Sequence, residues 1–257
     1  MLMLRLFDSH IHLQLMQSEA FWPDNTDWVL VPAVRPKEWA RMLTSYADNS
    51  KVWLALGVHP QYAHEWDQYR AKQLRQLLGQ PRVVAVGEAG LDAKVNADMD
   101  GQRWQQHVLE EQIELAVEMK KPLILHCYKR YDVLMRMLQQ EVRCIVGGVV
   151  HGYSGSSELA LQLWRLGFAI GIGRNILNPR ARRLRATVTV LPDEAYVIET
   201  DAPWPAAALM HGDQGKTEAE GANSLMQIAI QVAELRRQSL QHVAAVTAAN
   251  ARRIMKL

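Results

Sequence analysis

Cysteine is scarce in this chain: Cys127 and Cys144 are its two in 257 residues. Two thiols cannot make a disulfide framework, and both are expected as small buried groups in a reducing compartment. A long apolar run is also missing, so no segment reaches the roughly 20 residues that a membrane-spanning helix needs. Met1 to Leu6 is apolar apart from Arg5, but Asp8 and His10 end the run before a signal segment could form, and a cytoplasmic location is expected. Charge of one sign is not in excess either. The 29 Lys and Arg against 27 Asp and Glu leave a formal +2, too little to hold nucleic acid by bulk electrostatics alone. No low-complexity linker divides the chain, and one domain over residues 1–257 is expected. What remains is an ordinary globular composition, 49% apolar and 22% charged.

Short β-rich runs alternate with helical patterns along the whole length, the signature of parallel βαβ units. The predicted strands are Leu4–Phe7, Trp28–Val34, Val52–Val58, Val83–Gly87, Leu123–Cys127, Ile145–Val150, Phe168–Ile172 and Tyr196–Ile198. Between and after them lie helical segments at Pro36–Ala47, Gln68–Leu78, Gln102–Met119, Asp132–Gln140, Ser156–Leu166, Arg180–Val190, Ala222–Arg237 and Ser239–Ile254. Eight such units in about 250 residues predict a TIM (β/α)8 barrel. An open doubly wound sheet would need protected edge strands, and Leu4–Phe7 and Tyr196–Ile198 carry neither edge charge nor proline.

The residues just after the strands are chemically unusual. His10 and His12 follow the first strand at i and i+2, so they share a face about 6.5–7 Å apart at Cα and can converge on one metal ion. His59 follows the third strand, Glu88 the fourth, His126 and His151 the fifth and sixth, and Asp201 the eighth. In a TIM barrel all these ends face one mouth. Each residue has a plain alternative. His126 or His151 could be a core histidine on a backbone carbonyl, Glu88 a partner for an arginine, and Asp201 a helix cap. Together, four histidines and two carboxylates at five strand ends would be expensive to bury without a cation. The other histidines, His64, His107, His211 and His242, read as solvated or satisfied.

The segments Asp8-Ser9-His10-Ile11-His12, Val86-Gly87-Glu88-Ala89-Gly90-Leu91-Asp92, His151-Gly152-Tyr153-Ser154-Gly155 and Glu199-Thr200-Asp201-Ala202-Pro203 resemble the successive signatures of the TatD-like metal-dependent hydrolases, a branch of the amidohydrolase superfamily. The resemblance runs from Phe7 to about Asn250. It implies a barrel with two divalent ions (zinc, magnesium or manganese) and phosphoester hydrolysis, often of DNA, by a two-metal-activated water. Carried over, His10, His12 and Asp201 hold the first ion, His126 and His151 the second, and Glu88 bridges them. Two ions, two carboxylates and four neutral histidines leave the site near +2, which favours an anionic substrate. Asp201 is the expected proton acceptor. His59 is expected as a substrate contact or proton donor, with a hydrogen-bonded turn before Pro60 as its plain alternative.

The chain also departs from that family. Where members carry an arginine two residues after the fifth-strand histidine, Tyr128 stands, followed by Lys129 and Arg130. The aromatic after Gly-Leu-Asp is replaced by Ala93-Lys94, and a late Asn-x-Pro has become Asn223-Ser224-Leu225. Lys129, Arg130 and Arg174 are therefore expected as phosphate contacts, and Arg180, Arg182, Arg183 and Arg185 as a solvated helix face. Trp204 and Trp22 are placed on rim loops where bases could stack, with Tyr62, Tyr128 and Tyr153 as further rings, although eight tryptophans more often mean packing. The leading expectation is a deoxyribonuclease for single-stranded or frayed DNA, a monomer or weak oligomer without membrane contact. Hydrolysis of a small amide, ester or lactone is the alternative, and a metal-retaining binding protein the third.

Overall fold

The structure, a computed structural model, describes residues 4–16, 22, 25–141, 144–203 and 224–257. Eight parallel strands follow one another around a barrel: β1 (Leu6–Asp8), β2 (Thr26–Pro32), β3 (Val52–Leu56), β4 (Val83–Asp92), β5 (Leu123–Tyr128), β6 (Gly148–Val150), β7 (Phe168–Ile172) and β8 (Tyr196–Ile198). Each strand pairs with the next in sequence. The circle closes just beyond the ends of β8 and β1. There Ser9 N–H donates to Ile198 C=O (3.1 Å), Asp201 N–H to His10 C=O (2.8 Å) and His12 N–H to Ala202 C=O (2.7 Å). Closure removes both edges, which is why neither terminal strand needs edge charge or proline.

Around the barrel lie α1 (Trp39–Ser45), α2 (Gln68–Leu77), α3 (Met99–Glu118), α4 (Tyr131–Gln140), α5 (Ser157–Arg165), α6 (Arg182–Val190), α7 (Ser224–Arg236) and α8 (Leu240–Met255). Several start on side-chain caps. Asp67 accepts from Arg70 N–H, Asp98 from Gly101 N–H, Ser156 from Leu159 N–H and Ser239 from His242 N–H. Such a cap is worth ~1 kcal/mol.

Alternation along each strand builds two apolar layers. Val29, Leu54, Val86, Leu125 and their counterparts face the helices. Phe7, Leu30, Ala55, Ala85, Ile124, Val149, Ala169 and Val197 form the barrel interior, joined at its lower end by Ala251, Ile254 and Met255 of α8.

Element types agree with the sequence reading and the ends differ. β4 runs on to Asp92 because Ala89–Asp92 re-pairs with Leu125–Tyr128 after a register shift. β6 begins at Gly148, not Ile145, and this leaves Cys144 exposed in the preceding loop, contrary to the expectation that both thiols are buried; Cys127 is buried as expected. Trp22 is not on the rim. Its indole N–H donates to Thr26 C=O and Lys51 Nζ lies 5.9 Å from its ring, at the lower ends of β2 and β3. Trp22 therefore stands at the end of the barrel opposite the mouth.

Candidate metal centre

Seven side chains carried at the ends of β1, β3, β4, β5, β6 and β8 meet at the upper end. Glu88, only 2% exposed, sits at their middle. Its Oε2 lies 3.4 Å from His10 Nε2 and 3.5 Å from His12 Nε2. Its Oε1 lies 2.7 Å from His151 Nε2, 3.3 Å from His126 Nδ1 and 3.5 Å from His59 Nε2. Asp201 Oδ1 approaches the first group, 3.4 Å from His12 Nε2 and 3.7 Å from His10 Nε2. Three sets of potential ligand atoms lie within 4.8 Å of one another: His10, His12 and Glu88; His10, His151 and Asp201; and His59, Glu88 and His126.

The backbone that permits this is tight. Gly87 has φ +145°, and a Cβ there would stand 2.5 Å from Ile124 C=O. Gly90 has φ +152°, and its Cβ would meet His126 C=O at 1.9 Å. Neither position admits a side chain, so the glycines flanking Glu88 let β4 and β5 close on each other.

Hydrogen bonds on the far ring atoms decide which nitrogens are free. His12 Nδ1–H donates to Pro32 C=O (3.1 Å) and His126 Nε2–H to an Asp92 carboxylate oxygen (3.0 Å). Each neutral ring therefore turns a lone pair toward Glu88, as metal-bound histidines do. His59 is wired the opposite way. Its Nδ1 accepts from Gln61 N–H (3.1 Å), so a neutral ring keeps its proton on Nε2, the atom facing the centre. His59 is thus a hydrogen-bond donor to the site despite its place among the candidate ligands.

The carboxylates dominate the electrostatics. Burial alone would raise the Glu88 carboxyl, but His151, His59 and His10 hold it well below its usual range. Burial likewise opposes charging of His12 and His126, yet Asp201 and Glu88 raise His12 to about 9, and Asp92 and Glu88 raise His126 to about 9. Burial lowers His10 to about 4 and His59 to about 3, leaving both neutral. A cluster that draws protons onto its own imidazoles is one whose field favours a cation, and its nitrogen and carboxylate donors suit a divalent ion.

The sequence reading did not single out the residues behind these ligands. Gln105 and Gln112 are both fully buried on α3, seven positions apart and so on one helix face. Gln105 accepts from Asp92 N–H (2.8 Å) and donates to Asp92 C=O (3.1 Å), fixing the residue that orients His126. Gln112 does the same for Val58, just before His59, at 2.8 and 3.1 Å. On the other side Asp8 accepts from Thr200 N–H (3.0 Å) and Thr200 O–H (2.7 Å), locking the ends of β1 and β8 that carry His10 and Asp201. Glu199 accepts from Gly152 N–H (2.5 Å) and holds the turn after His151. Burial pushes Asp8 up to about 7 and Glu199 up to about 8. The visible signal was polar residues at helix positions that an amphipathic pattern reserves for apolar ones.

The outer shell is more scattered. Tyr128 ends β5 with Lys94 Nζ 4.6 Å and Lys129 Nζ 5.4 Å from its ring centroid, so cation and aromatic adjoin here. Lys129 is exposed, Arg130 half-buried before α4, and Arg174 half-buried at the start of the turn Arg174–Leu177. Tyr153 is 1% exposed, its ring against Tyr131 and its hydroxyl on Ser156 C=O, so it cannot stack a base. Arg35 Cζ lies 4.3 Å from the Tyr62 ring centroid. Trp204, His211, Asn223 and the predicted helix start at Ala222 lie outside the described residues, as does the side chain of Ser224. His64, His107 and His242 are solvated, His107 beside Glu111 and His242 beside Asp193.

Comparison with known proteins agrees with this geometry. Residues 7–256 match the family model described as TatD related DNase. A 3'-5' ssDNA/RNA exonuclease TatD from Pantoea sp. (strain At-9b) is 33% identical over 206 residues, covering 80% of this chain and 78% of that protein. The uncharacterized metal-dependent hydrolase YjjV of Escherichia coli (strain K12) is 37% identical over 177 residues, 68% of this chain and 67% of that one. The crystal structure of YjjV, a TatD homolog, superposes with a TM-score of 0.83 at 28% identity over 100% of both chains.

Proposed function

Because the chain belongs to the TatD-related DNase family, we propose that it is a divalent-metal-dependent hydrolase of nucleic-acid phosphodiesters, a deoxyribonuclease for single-stranded or frayed ends. In this reading His10, His12 and Asp201 hold one ion, His126 and His151 a second, and Glu88 serves both. The observation that carries it is the division of Glu88. One carboxylate oxygen faces His10 and His12, and the other faces His126 and His151. Ions bound there supply Lewis-acid polarisation of the phosphoryl group and a more acidic water.

The chain's own groups do the rest. Asp201, half-exposed at the rim, takes the proton of the attacking water. Neutral His59 donates a hydrogen bond from Nε2 to the phosphate or leaving oxygen, its direction set by Gln61 N–H and its position by Gln112. Lys94 and Lys129 beside Tyr128, with Arg130 and Arg174, offer positive charge to the phosphate backbone. That charge favours a phosphodiester over a neutral amide, ester or lactone.

The test is single-turnover cleavage of an end-labelled oligonucleotide at saturating metal, comparing wild type with Asp201→Asn. The variant keeps the shape and loses the base, so its rate should fall ~10²–10⁴-fold. Rapid turnover of a carboxyl ester with no cleavage of DNA would transfer the assignment to the amidohydrolase alternative.

A further inference from the structure

Beside the mouth, between the turn after β6 and the start of α6, lies a recess of about 390 Å³. Tyr153, Ser154, Asn175, Arg180, Arg182 and Arg183 line it, with no carboxylate among its lining residues. Among the described residues, no ion pair or side-chain hydrogen bond engages the guanidinium of Arg180, Arg182 or Arg183. Two neighbouring or nearby-helix arginines are engaged: Arg185 donates to Ile176 C=O (2.8 Å), and Arg236 pairs with Asp193 (2.6 Å). Arg182 and Arg183 also open α6, the end of a helix where its dipole disfavours cations, and that turn contains no acidic residue. Three cations gathered against their electrostatic preference, around an open space, call for an anion.

The recess adjoins the candidate centre. Ser154 follows His151 by three residues, so the chain between them spans at most about 11 Å. Tyr153 N–H bonds to Gly171 C=O (3.2 Å), which holds this turn against β7. A guanidinium offers the planar fork that matches phosphate oxygens, and Asn175 and Ser154 add neutral hydrogen-bonding groups.

We propose that this recess binds the sugar–phosphate backbone of the substrate strand, beyond the bond being cut, with Arg180, Arg182 and Arg183 as phosphate contacts. The proposal rests on the nuclease reading above and adds to it a second place where the strand is held. Binding remote from the reacting bond gives the enzyme a preference for chains over small phosphodiesters.

The experiment measures binding and turnover separately. Metal-loaded wild type and the combined variant Arg180→Ser, Arg182→Ser, Arg183→Ser are titrated with a fluorescein-labelled single-stranded 12-mer across a salt series. Both are then assayed on the 12-mer and on bis(p-nitrophenyl) phosphate, which has no adjoining backbone phosphate for the recess to hold. Three lost contacts at about 0.7 each should flatten the slope of log K against log salt by ~2 and weaken low-salt binding at least tenfold. Turnover of the small substrate should change less than twofold. A second variant, Arg182→Lys with Arg183→Lys, keeps the charge and loses the fork, so it should weaken binding while preserving the slope. Unchanged affinity and slope in the triple variant would overturn the recess, as would an equal loss on both substrates. Wild type that binds the strand with the predicted slope but hydrolyses no phosphodiester would leave the recess standing and remove the nuclease reading.

Discussion

The two ends of one barrel follow opposite rules. At the lower end Phe7, Leu30, Ala55, Ile124, Val149 and Val197 meet Ala251, Ile254 and Met255 of α8 in an apolar plug. Where charges do occur nearby, they are met by the chain itself. Asp193 accepts from Arg236 (2.6 Å), Gln238 (3.1 Å) and His242 (2.6 Å). At the upper end the same strands deliver Glu88 and Asp201 to a ring of imidazoles, with no arginine or lysine paired to either carboxylate among the described residues. One end stabilises the fold by apolar burial and completed ion pairs. The other keeps an unmet demand for positive charge, and that demand is its chemistry. Functional sites are where local consistency is expected to fail.

Four experiments probe this contrast, beginning with the largest effect. Glu88→Ala should abolish binding at both metal positions, whereas His126→Ala should empty mainly one, as read by elemental analysis after metal loading. Two ions bound by Glu88→Ala with near-normal affinity would remove its bridging role. At the lower end Ile254→Ala should cost ~2–5 kcal/mol of stability through a cavity left in the plug, with metal content unchanged. Equilibrium denaturation and metal analysis on the same sample check both halves of that statement.

A smaller effect is expected one layer behind the ligands. Asp92→Ala frees the His126 ring from its orienting carboxylate and should weaken metal binding ~10–100-fold, measured by competition with a chelator. Gln105→Leu, which leaves the Asp92 N–H without its partner and its C=O with Gln102 alone, should act in the same direction. Equal metal affinity in wild type and Asp92→Ala would show that the ring needs no such support.

The smallest effect concerns pH at the lower end. The Gln238 amide, with His242 and Arg236, holds the Asp193 carboxyl at about 2, below its ordinary 3.8. A carboxyl depressed in the folded state stabilises fully above about pH 4, and that stabilisation is lost as pH falls toward 2. After allowance for partial exposure it is worth on the order of 1–2 kcal/mol. Stability curves for wild type and Asp193→Asn should converge across that window, and parallel curves would refute the linkage.

Much of this could be read before any coordinates. The number, order and direction of the elements follow from local periodicity, and β7 and β8 fall where the pattern puts them. The histidine and carboxylate positions were also legible, because a residue at the upper end of a barrel strand has one place to point. The reading failed where distant backbone decides. Trp22, expected on the rim, stands at the lower end beside Thr26. Tyr153 was offered as a stacking ring, but Tyr131 and Ser156 enclose it. Cys144, expected as a buried thiol, is exposed by the late start of β6.

What the sequence determined by itself is the class of fold and the inventory of the site, because periodicity and residue type are local properties. Only the tertiary structure decided which nitrogen His12 and His126 present. His12 turns by Pro32, His126 by Asp92 and His59 by Gln61, and the first two partners are 20 and 34 residues away. Only the tertiary structure joined Gln105 and Gln112 to the ends of β4 and β3, or gathered three arginines around an open recess. The reason is geometric. A hydrogen bond forms or fails within a few tenths of an ångström, and separations that fine between distant segments exist only once the barrel has closed.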